Sequence, residues 1–316
     1  MQNVAIIGAG AVGSYYGARL VEAGHHVSFL VRRDYENLQK NGLIVHSNDG
    51  DIFLKKPNIY QNTNDIGPVD WIICALKSTS IDSAKELIKP CIQKNTKILV
   101  LMNGIGLEEK FQSWFPNNHI FGGLAFTCIN RTNDGVIEHL DYGPITIGHL
   151  GDKKSEIEDA LAVWEKVKVT VSAKPSLRLA RWEKLCWNIP FNGLTVTAGG
   201  VSTEIIIEDK NLRHTAERLM EEIITTANAD LNHSHSEYKL DTQTTTRNMI
   251  QRTSEMKAYI PSTTIDFLAG KEMEVETIFE APLAIANQFN ISTPLLELLA
   301  GQIRTLNDQN KNHTQM

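Results

Sequence analysis

Three polar residues in the second half of the chain are spaced so that they could act together on a ligand. Lys184, Asn188 and Asn192 recur every four residues, which places them on one face of a helix. Apolar residues lie between them, including Leu185, Trp187, Ile189 and Phe191. Burying an ammonium and two amides in such a segment is costly unless they meet a polar partner. The spacing alone leaves two interpretations open, a ligand-binding face and a solvated polar stripe.

A glycine-rich segment near the N-terminus fits the pattern G-x-G-x-x-G. A strand-like run, Val4–Ile7, precedes it and a helical pattern follows it. In this setting the glycines allow a tight turn, close approach of a pyrophosphate and close packing of helix on strand, while the helix N-terminus attracts the phosphates. The segment therefore predicts a dinucleotide site made by Gly8, Ala9, Gly10, Ala11, Val12 and Gly13.

The end of the second predicted strand bears on the choice between NAD and NADP. An NAD site usually has a carboxylate there for the ribose hydroxyls, whereas this chain has Arg32 and Arg33. A guanidinium can bind a 2′-phosphate through two hydrogen bonds, so Arg32 favours NADP. Asp34 follows and would serve NAD if the strand ended two residues later. Solvation of a surface turn by the two arginines is the other interpretation.

Two further predicted strands end in polar residues. The run that begins at Trp71 leads into Lys77, and Ile98–Met102 leads into Asn103-Gly104-Ile105-Gly106. Ligands of doubly wound sheets bind beyond the carboxyl ends of the strands. Together with the glycine-rich segment, these ends predict a cofactor at that edge.

The elements that must position these residues fall into two groups. The first half alternates strand-like and helical runs, which predicts a parallel, doubly wound Rossmann-like sheet. The predicted strands are Val4–Ile7, His26–Val31, Trp71–Leu76 and Ile98–Met102, with antiparallel strands Gly122–Asn130, Val136–Leu140 and Ile145–Leu150 at the end of the sheet. After about Pro175 the patterns are helical to about Leu306, with a polar, frayed tail beyond. We therefore predict a dinucleotide-binding α/β domain over 1–174 and an all-helical substrate and catalytic domain over 175–316.

Composition restricts the functional class. The 316 residues carry a formal net charge of −6, which argues against a general nucleic-acid surface. No targeting segment or membrane-length apolar run is visible, and the four cysteines are too far apart for a metal site. These features predict a cytoplasmic protein with reduced thiols and no bound metal, nucleic acid or membrane. The oligomeric state stays open, with a homodimer as one option.

The ordered set of motifs resembles the ketopantoate reductase (2-dehydropantoate 2-reductase) family. The resemblance rests on Gly8–Gly13, Ala75-Leu76-Lys77, the Asn103 segment, the Lys184, Asn188 and Asn192 helix, and Ser262 with Glu274-Val275-Glu276. It runs over nearly the whole chain. It implies NADPH as cofactor and the reduction of a branched 2-oxo acid, 2-dehydropantoate, to (R)-pantoate.

The resemblance also implies roles for individual residues. Lys184 corresponds to the catalytic lysine that protonates the ketone oxygen, and Glu274 to a glutamate that binds substrate and helps place the lysine. Substrate-binding positions are matched by Asn103, Asn188, Asn192 and Ser262. Cofactor contacts are matched by Arg32, Lys77, Asn103 and, across an alignment gap, Cys128.

This chain departs from the family pattern at several positions. Ser80 stands where the family often has Gln, Glu276 replaces an Asp, and Pro261 precedes Ser262 in place of a second serine. No catalytic group is lost, but the identity of the oxo acid is left open. The alternatives are a related reductase of another 2-oxo acid or imine, and a catalytically silent NADP-binding regulator.

Overall fold

The computed structural model describes residues 1–132 and 134–314. The chain forms two compact units. The first comprises Met1–Met102 and Leu107–Leu177, and the second comprises Asn103–Gly106 and Arg178–Met316. The short Asn103–Gly106 segment thus belongs with the second unit, although it begins three residues beyond the end of a strand of the first. The domain boundary predicted after residue 174 stays a prediction.

The first unit is built on a mostly parallel sheet. Its strands are β1 (Asn3–Ile7), β2 (His26–Leu30), β3 (Leu43–Ser47), β4 (Ile52–Leu54), β5 (Asn58–Tyr60), β6 (Trp71–Cys74), β7 (Lys97–Val100), β8 (Ile120–Arg131), β9 (Ile137–His149) and β10 (Val171–Ala173). The order is β4-β3-β9-β8-β7-β6-β1-β2-β5, and β10 pairs with β9. Its helices are α1 (Ala11–Glu22), α2 (Tyr35–Asn41), α3 (Ile81–Ile88), α4 (Leu107–Trp114) and α5 (Lys154–Trp164).

The central strands are apolar along their whole length because helices cover both faces of the sheet. β6, for example, is buried at each of its four residues. Two buried apolar clusters accordingly contain alternate residues of β1: Val4 and Ile6 in one, Ala5 and Ile7 in the other. The loops that follow the parallel strands therefore begin at one edge of the sheet, where the carboxyl ends of these strands lie.

The antiparallel part of the sheet differs from the prediction. The two runs predicted as Val136–Leu140 and Ile145–Leu150 form one continuous strand, β9. Tyr142 and Gly143 between them have positive φ angles of 62° and 130°, and the β8–β9 register shifts twice, so the turn-like residues produce irregularities within a strand instead of a hairpin. The predicted position at the end of the sheet is also wrong, because β3 pairs with β9 and β4 with β3.

The second unit is helical throughout its described regular structure. Its helices are α6 (Leu177–Thr197), α7 (Thr203–Glu208), α8 (Lys210–His233), α9 (Thr242–Glu255), α10 (Ser262–Leu268), α11 (Ala281–Gln288) and α12 (Pro294–Thr314), with a π-helical turn over Glu276–Glu280. The predicted fold class, a Rossmann-like α/β sheet followed by an all-helical region, is confirmed. Among the described residues, none of the helices has the length and apolar character needed to cross a membrane.

The C-terminal helix is longer than predicted. α12 continues to Thr314, so the predicted end of the helical region near Leu306 is wrong, while Gln315 and Met316 lie outside the described residues. Asn307, at the start of the predicted frayed tail, is buried and its Oδ1 accepts a hydrogen bond of 2.7 Å from the backbone N–H of Met273. This polar segment is therefore part of a helix that is bonded to its own unit through Asn307.

Candidate active site

Helix α6 carries the three regularly spaced polar residues, and it is a buried element. Asn188 and Asn192 are only 6% and 2% exposed, and Lys184 is partly buried. Pro190 lies inside the helix, which runs through it. The interpretation as a solvated polar stripe is therefore wrong for the two asparagines, and the face that they share with Lys184 is held inside the protein.

Side chains on neighbouring helices fix the position of α6. Asp230 of α8 accepts hydrogen bonds from Arg178 Nε (2.6 Å) and from the indole N–H of Trp182 (2.7 Å). The indole N–H of Trp187 donates to Thr253 Oγ1 of α9 at 2.9 Å. Because buried indoles and carboxylates need partners, these bonds set the rotation of α6 about its axis. They therefore determine where its polar face points.

A chain of hydrogen bonds joins Lys184 to Glu274. Lys184 Nζ donates to Asn103 Oδ1 at 2.9 Å, and Asn103 Nδ2 donates to Glu274 Oε2 at 3.1 Å. The direction of the two hydrogen bonds follows from the chemistry of the end groups, since an ammonium can only donate and a carboxylate can only accept. The Asn103 amide is thereby held in one orientation between a cation and a buried anion.

The Lys184 ammonium has a strongly altered proton affinity. The pKa of Lys184 is lowered to about 7 by burial and, to a smaller extent, by the charge of Arg181 one turn earlier, while the charge of Glu274 acts in the opposite direction. Desolvation disfavours the charged form of a lysine, which is why burial is the largest cause. A lysine with such a pKa holds a proton near neutral pH and releases it readily, as a general acid needs to do.

The loop that carries Asn103 is bound to the π-helical turn. Thr277 Oγ1 donates to the Asn103 carbonyl at 3.0 Å, and the backbone N–H of Ile105 donates to the Thr277 carbonyl at 3.1 Å. Gly104 has a φ of 104°, and a Cβ there would collide with Thr277. Glycine is therefore required at this position. A π-helical turn is rare and often marks a functional site, and here it begins two residues after Glu274.

Asn192 is bonded to Thr263, the residue that follows the predicted substrate-binding Ser262. Its Nδ2 donates to Thr263 Oγ1 at 3.0 Å, while Ser262 is exposed at the start of α10. The Oδ1 of Asn192 is buried and has no hydrogen-bond partner among the described residues. A buried amide oxygen of this kind is able to accept a bond from a hydroxyl or N–H of a ligand.

The glycine-rich turn of the first unit has the form that a dinucleotide requires. Gly8 has a φ of 96°, and a Cβ there would lie 2.7 Å from backbone atoms of Ala75 and Leu76. A Cβ on Gly13 would collide with the Gly8 carbonyl oxygen, whereas a Cβ on Gly10 would meet nothing within 4 Å. Gly8 and Gly13 thus pack against protein, while Gly10 faces open space at the N-terminus of α1, where backbone N–H groups point outward. The turn fits a pyrophosphate.

Three of the remaining predicted cofactor residues, Arg32, Lys77 and Cys128, also belong to the first unit. Arg32 is exposed and follows the end of β2 at Leu30. Lys77 is exposed, three residues beyond the end of β6. Cys128 is half-buried on β8, and burial and the neighbouring Asp141 raise the pKa of its thiol. Asn103, predicted on the same edge, is grouped with the second unit instead.

Three residues at these sites were missed by the sequence analysis. Arg181 influences Lys184, Thr263 binds Asn192, and Arg131 of β8 donates to the Ala9 carbonyl at 2.7 Å. Arg181 precedes Lys184 by three residues, so helical spacing could have identified it. Nothing in the local sequence indicates the other two, because their partners are 71 and 122 residues away along the chain.

Comparison with known families gives matches to both parts of the chain. A family model described as "Ketopantoate reductase PanE/ApbA" matches residues 4–152, and one described as "Ketopantoate reductase PanE/ApbA C terminal" matches residues 176–307. A 2-dehydropantoate 2-reductase from a Nostoc species is 34% identical over 98% of this chain and 97% of its own length.

Solved structures show the same fold. A 2-dehydropantoate 2-reductase from Geobacter metallireducens superposes with a TM-score of 0.90 at 37% identity, covering 97% of this chain and 99% of that protein. A D-mandelate dehydrogenase solved with NADH and anilino(oxo)acetate superposes with a TM-score of 0.86, covering 98% of this chain and 99% of that protein. At 20% identity, this second likeness is one of fold alone.

Proposed function

Because the chain belongs to the ketopantoate reductase family and is an oxidoreductase, we propose that it reduces 2-dehydropantoate to (R)-pantoate with NADPH. The observation that carries the proposal is the hydrogen-bonded chain from Glu274 through Asn103 to Lys184. It presents a proton donor with a pKa of about 7. Reduction of a ketone needs such a donor, because addition of hydride to the carbonyl carbon leaves an alkoxide.

The residues proposed to hold the cofactor are those of the glycine-rich turn together with Arg32, Lys77, Asn103 and Cys128. A bound NADPH would supply the hydride that is added to the carbonyl carbon. The free backbone N–H groups at the start of α1 would bind the pyrophosphate, and Arg32 would pair with the 2′-phosphate. Preference for NADP over NAD therefore depends on an exposed cation that follows β2.

Lys184 would stabilise the developing alkoxide by its charge and then donate its proton to that oxygen, which completes the alcohol. Glu274 keeps the pKa of Lys184 from falling further and, through Asn103, holds the ammonium in place. Asn188 and Asn192 follow on the same helical face. We propose that these amides, with Ser262, bind the carboxylate and hydroxyl groups of the oxo acid.

The direct test is consumption of NADPH with a panel of 2-oxo acids. We expect the highest kcat/KM with 2-dehydropantoate, and lower values with pyruvate and with phenylglyoxylate. Phenylglyoxylate is included because a D-mandelate dehydrogenase shares this fold. A higher kcat/KM with phenylglyoxylate would support the related reductase, and no turnover with any oxo acid would support the silent NADP-binding regulator. The cytoplasmic location stays a prediction.

Replacing Arg32 by alanine should weaken NADPH binding much more than NADH binding. A charge-assisted hydrogen bond contributes about 1.5–3 kcal/mol, and exposure of Arg32 puts the effect at the lower end. We therefore expect about a tenfold rise in the Kd for NADPH, measured by fluorescence titration. Arg33→Ala, which removes the adjacent exposed cation, is the matched control and should change either Kd little. Equal losses for both cofactors in Arg32→Ala would contradict the assignment.

Replacing Glu274 by glutamine should affect the substrate and not the cofactor. The amide can still accept from Asn103 Nδ2, but the negative charge that raises the pKa of Lys184 is removed. We expect a higher KM for the oxo acid, an unchanged Kd for NADPH, and loss of activity at a lower pH than in the wild type. Glu276→Gln changes an exposed carboxylate two residues away and serves as the control. A change confined to the NADPH Kd would refute this role.

A further inference from the structure

Arg131 joins the two segments of the first unit that surround the predicted cofactor. It is the last residue of β8, and its Nη1 donates to the Ala9 carbonyl at 2.7 Å. Its Nη2 lies 3.1 Å from Asp34 Oδ2. Ala9 belongs to the glycine-rich turn, and Asp34 occupies the N-cap position of α2 just beyond β2, with no capping hydrogen bond from its side chain. One guanidinium therefore contacts both the turn predicted for the pyrophosphate and the loop predicted for the adenosine ribose.

The long reach of β8 brings Arg131 to this position. β8 pairs with β7 only over Ile120–Gly122, and it then continues beyond the carboxyl end of β7 while paired with β9 up to Arg131. The loop that follows is attached to α2, because Asn37 Nδ2 donates to the Asp134 carbonyl at 2.8 Å. The end of the β8–β9 hairpin is thus bound to the helix that begins directly after Asp34.

The contact between Arg131 and Asp34 is electrostatic and lacks the geometry of a hydrogen bond. The side chain of Arg131 is 16% exposed, and among the described residues its Nε and Nη2 have no partner of hydrogen-bond geometry. The interaction with Asp34 is therefore an ion pair in which the cation is mostly buried and the carboxylate is 40% exposed. Incomplete solvation by water strengthens the attraction between the two charges. The Asp34 carboxylate is neutralised by a cation that is itself held by the Ala9 carbonyl.

This neutralisation matters for cofactor choice. A free carboxylate just after the second strand accepts hydrogen bonds from ribose hydroxyls and repels a 2′-phosphate. We propose that Arg131 is a specificity-determining residue, which favours NADPH by neutralising Asp34 beside the 2′-phosphate position. This inference rests on the proposed use of NADPH. Arg131 acts through Asp34 and the Ala9 carbonyl and is a positioning residue.

The test is the ratio of the Kd for NADH to that for NADPH, measured by fluorescence titration on the full-length protein. Arg131→Met keeps the length of the side chain and removes the charge. We expect it to lower the ratio about tenfold, mainly through weaker NADPH binding. Arg131→Lys should retain much of the ratio. Adding Asp34→Asn to Arg131→Met should restore the ratio to within about threefold of the wild type, because no unpaired carboxylate then remains.

Other outcomes would overturn the proposal. Equal weakening of both cofactors in Arg131→Met would mean that Arg131 only supports the Ala9 carbonyl. Failure of Asp34→Asn to restore the ratio would exclude Asp34 as the group through which Arg131 acts. If Arg131→Met does not fold, Asp34→Asn alone decides, because it leaves the Arg131 cation without its carboxylate near the 2′-phosphate position: we expect the ratio to rise about threefold, and an unchanged ratio contradicts the proposal. A wild-type protein that does not prefer NADPH overturns the proposed function and this inference together, before any variant is compared.

Discussion

Replacing Lys184 by alanine should lower kcat for reduction of the 2-oxo acid by about 10²–10⁴-fold, the range supplied by a positioned general acid. The loss should appear in the chemical step, measured as single-turnover oxidation of NADPH, because Lys184 is proposed to stabilise and protonate the alkoxide. Binding of NADPH should change little. Removing the ammonium relieves a poorly solvated charge, but it also takes a donor from Asn103 and the opposite charge from the buried Glu274, so urea denaturation is measured alongside to establish that the variant is folded.

Lys77→Ala is the matched comparison, since Lys77 is the other lysine among the predicted site residues and is assigned to the cofactor. It should raise the Kd for NADPH and leave the single-turnover rate at saturating cofactor nearly unchanged. The wild-type pH profile gives an independent readout. The pKa of Lys184 is lowered from its ordinary value to about 7, so the protonated donor predominates below pH 7 and is lost as the pH rises. We therefore expect kcat/KM to fall above about pH 7. A Lys184→Ala protein with a wild-type rate, together with an inactive Lys77→Ala protein, would reverse the two assignments.

Alanine at two positions of the glycine-rich turn should affect different properties: cofactor binding at Gly10 and the stability of the fold at Gly13. Gly10→Ala places a methyl group in open space at the N-terminus of α1, so the free energy of unfolding should hardly change. The same methyl group would occupy the space in which a pyrophosphate approaches the backbone. An overpacking cost of about 1–3 kcal/mol corresponds to about 5–150-fold weaker binding of both NADPH and NADH.

Gly13→Ala should instead destabilise the protein. Alanine is the better helix former by about 1 kcal/mol, but its Cβ would collide with the Gly8 carbonyl oxygen, which is backbone and cannot move aside. We expect the free energy of unfolding to fall by about 3 kcal/mol, measured by urea denaturation. Gly301→Ala, in α12 with nothing near its Cβ, is the control and should not destabilise. For the Gly10→Ala variant discussed above, NADPH binding as tight as in the wild type would contradict the assignment of the glycine-rich turn to the pyrophosphate.

Local sequence patterns were sufficient for the fold class and for the main elements of the first unit. Val4–Ile7, His26–Val31 and Ile98–Met102 were predicted within two residues of β1, β2 and β7, since buried parallel strands are short, continuous apolar runs between turn residues. β3, β4 and β5 were missed. They are short strands whose pairing depends on distant partners, as when Val45 of β3 pairs with Ile137.

What the sequence by itself determined about this protein is the set of groups available for chemistry. Helical spacing placed Lys184, Asn188 and Asn192 on one face, and the glycine-rich pattern implied a turn that only glycine can form. Both are properties of neighbouring residues along the chain, so periodicity and backbone sterics are enough to predict them.

Only the tertiary structure decided which groups meet. Asn103 lies between Lys184 and Glu274, which are 81 and 171 residues away along the chain. The pKa of Lys184 is near 7 mainly because the side chain is buried, and a local sequence pattern does not predict that burial. Arg131 and Asp34 likewise come together because β8 extends beyond β7. Contacts between residues so far apart depend on how whole elements pack, and the electrostatics of the site depend on the desolvation that this packing produces.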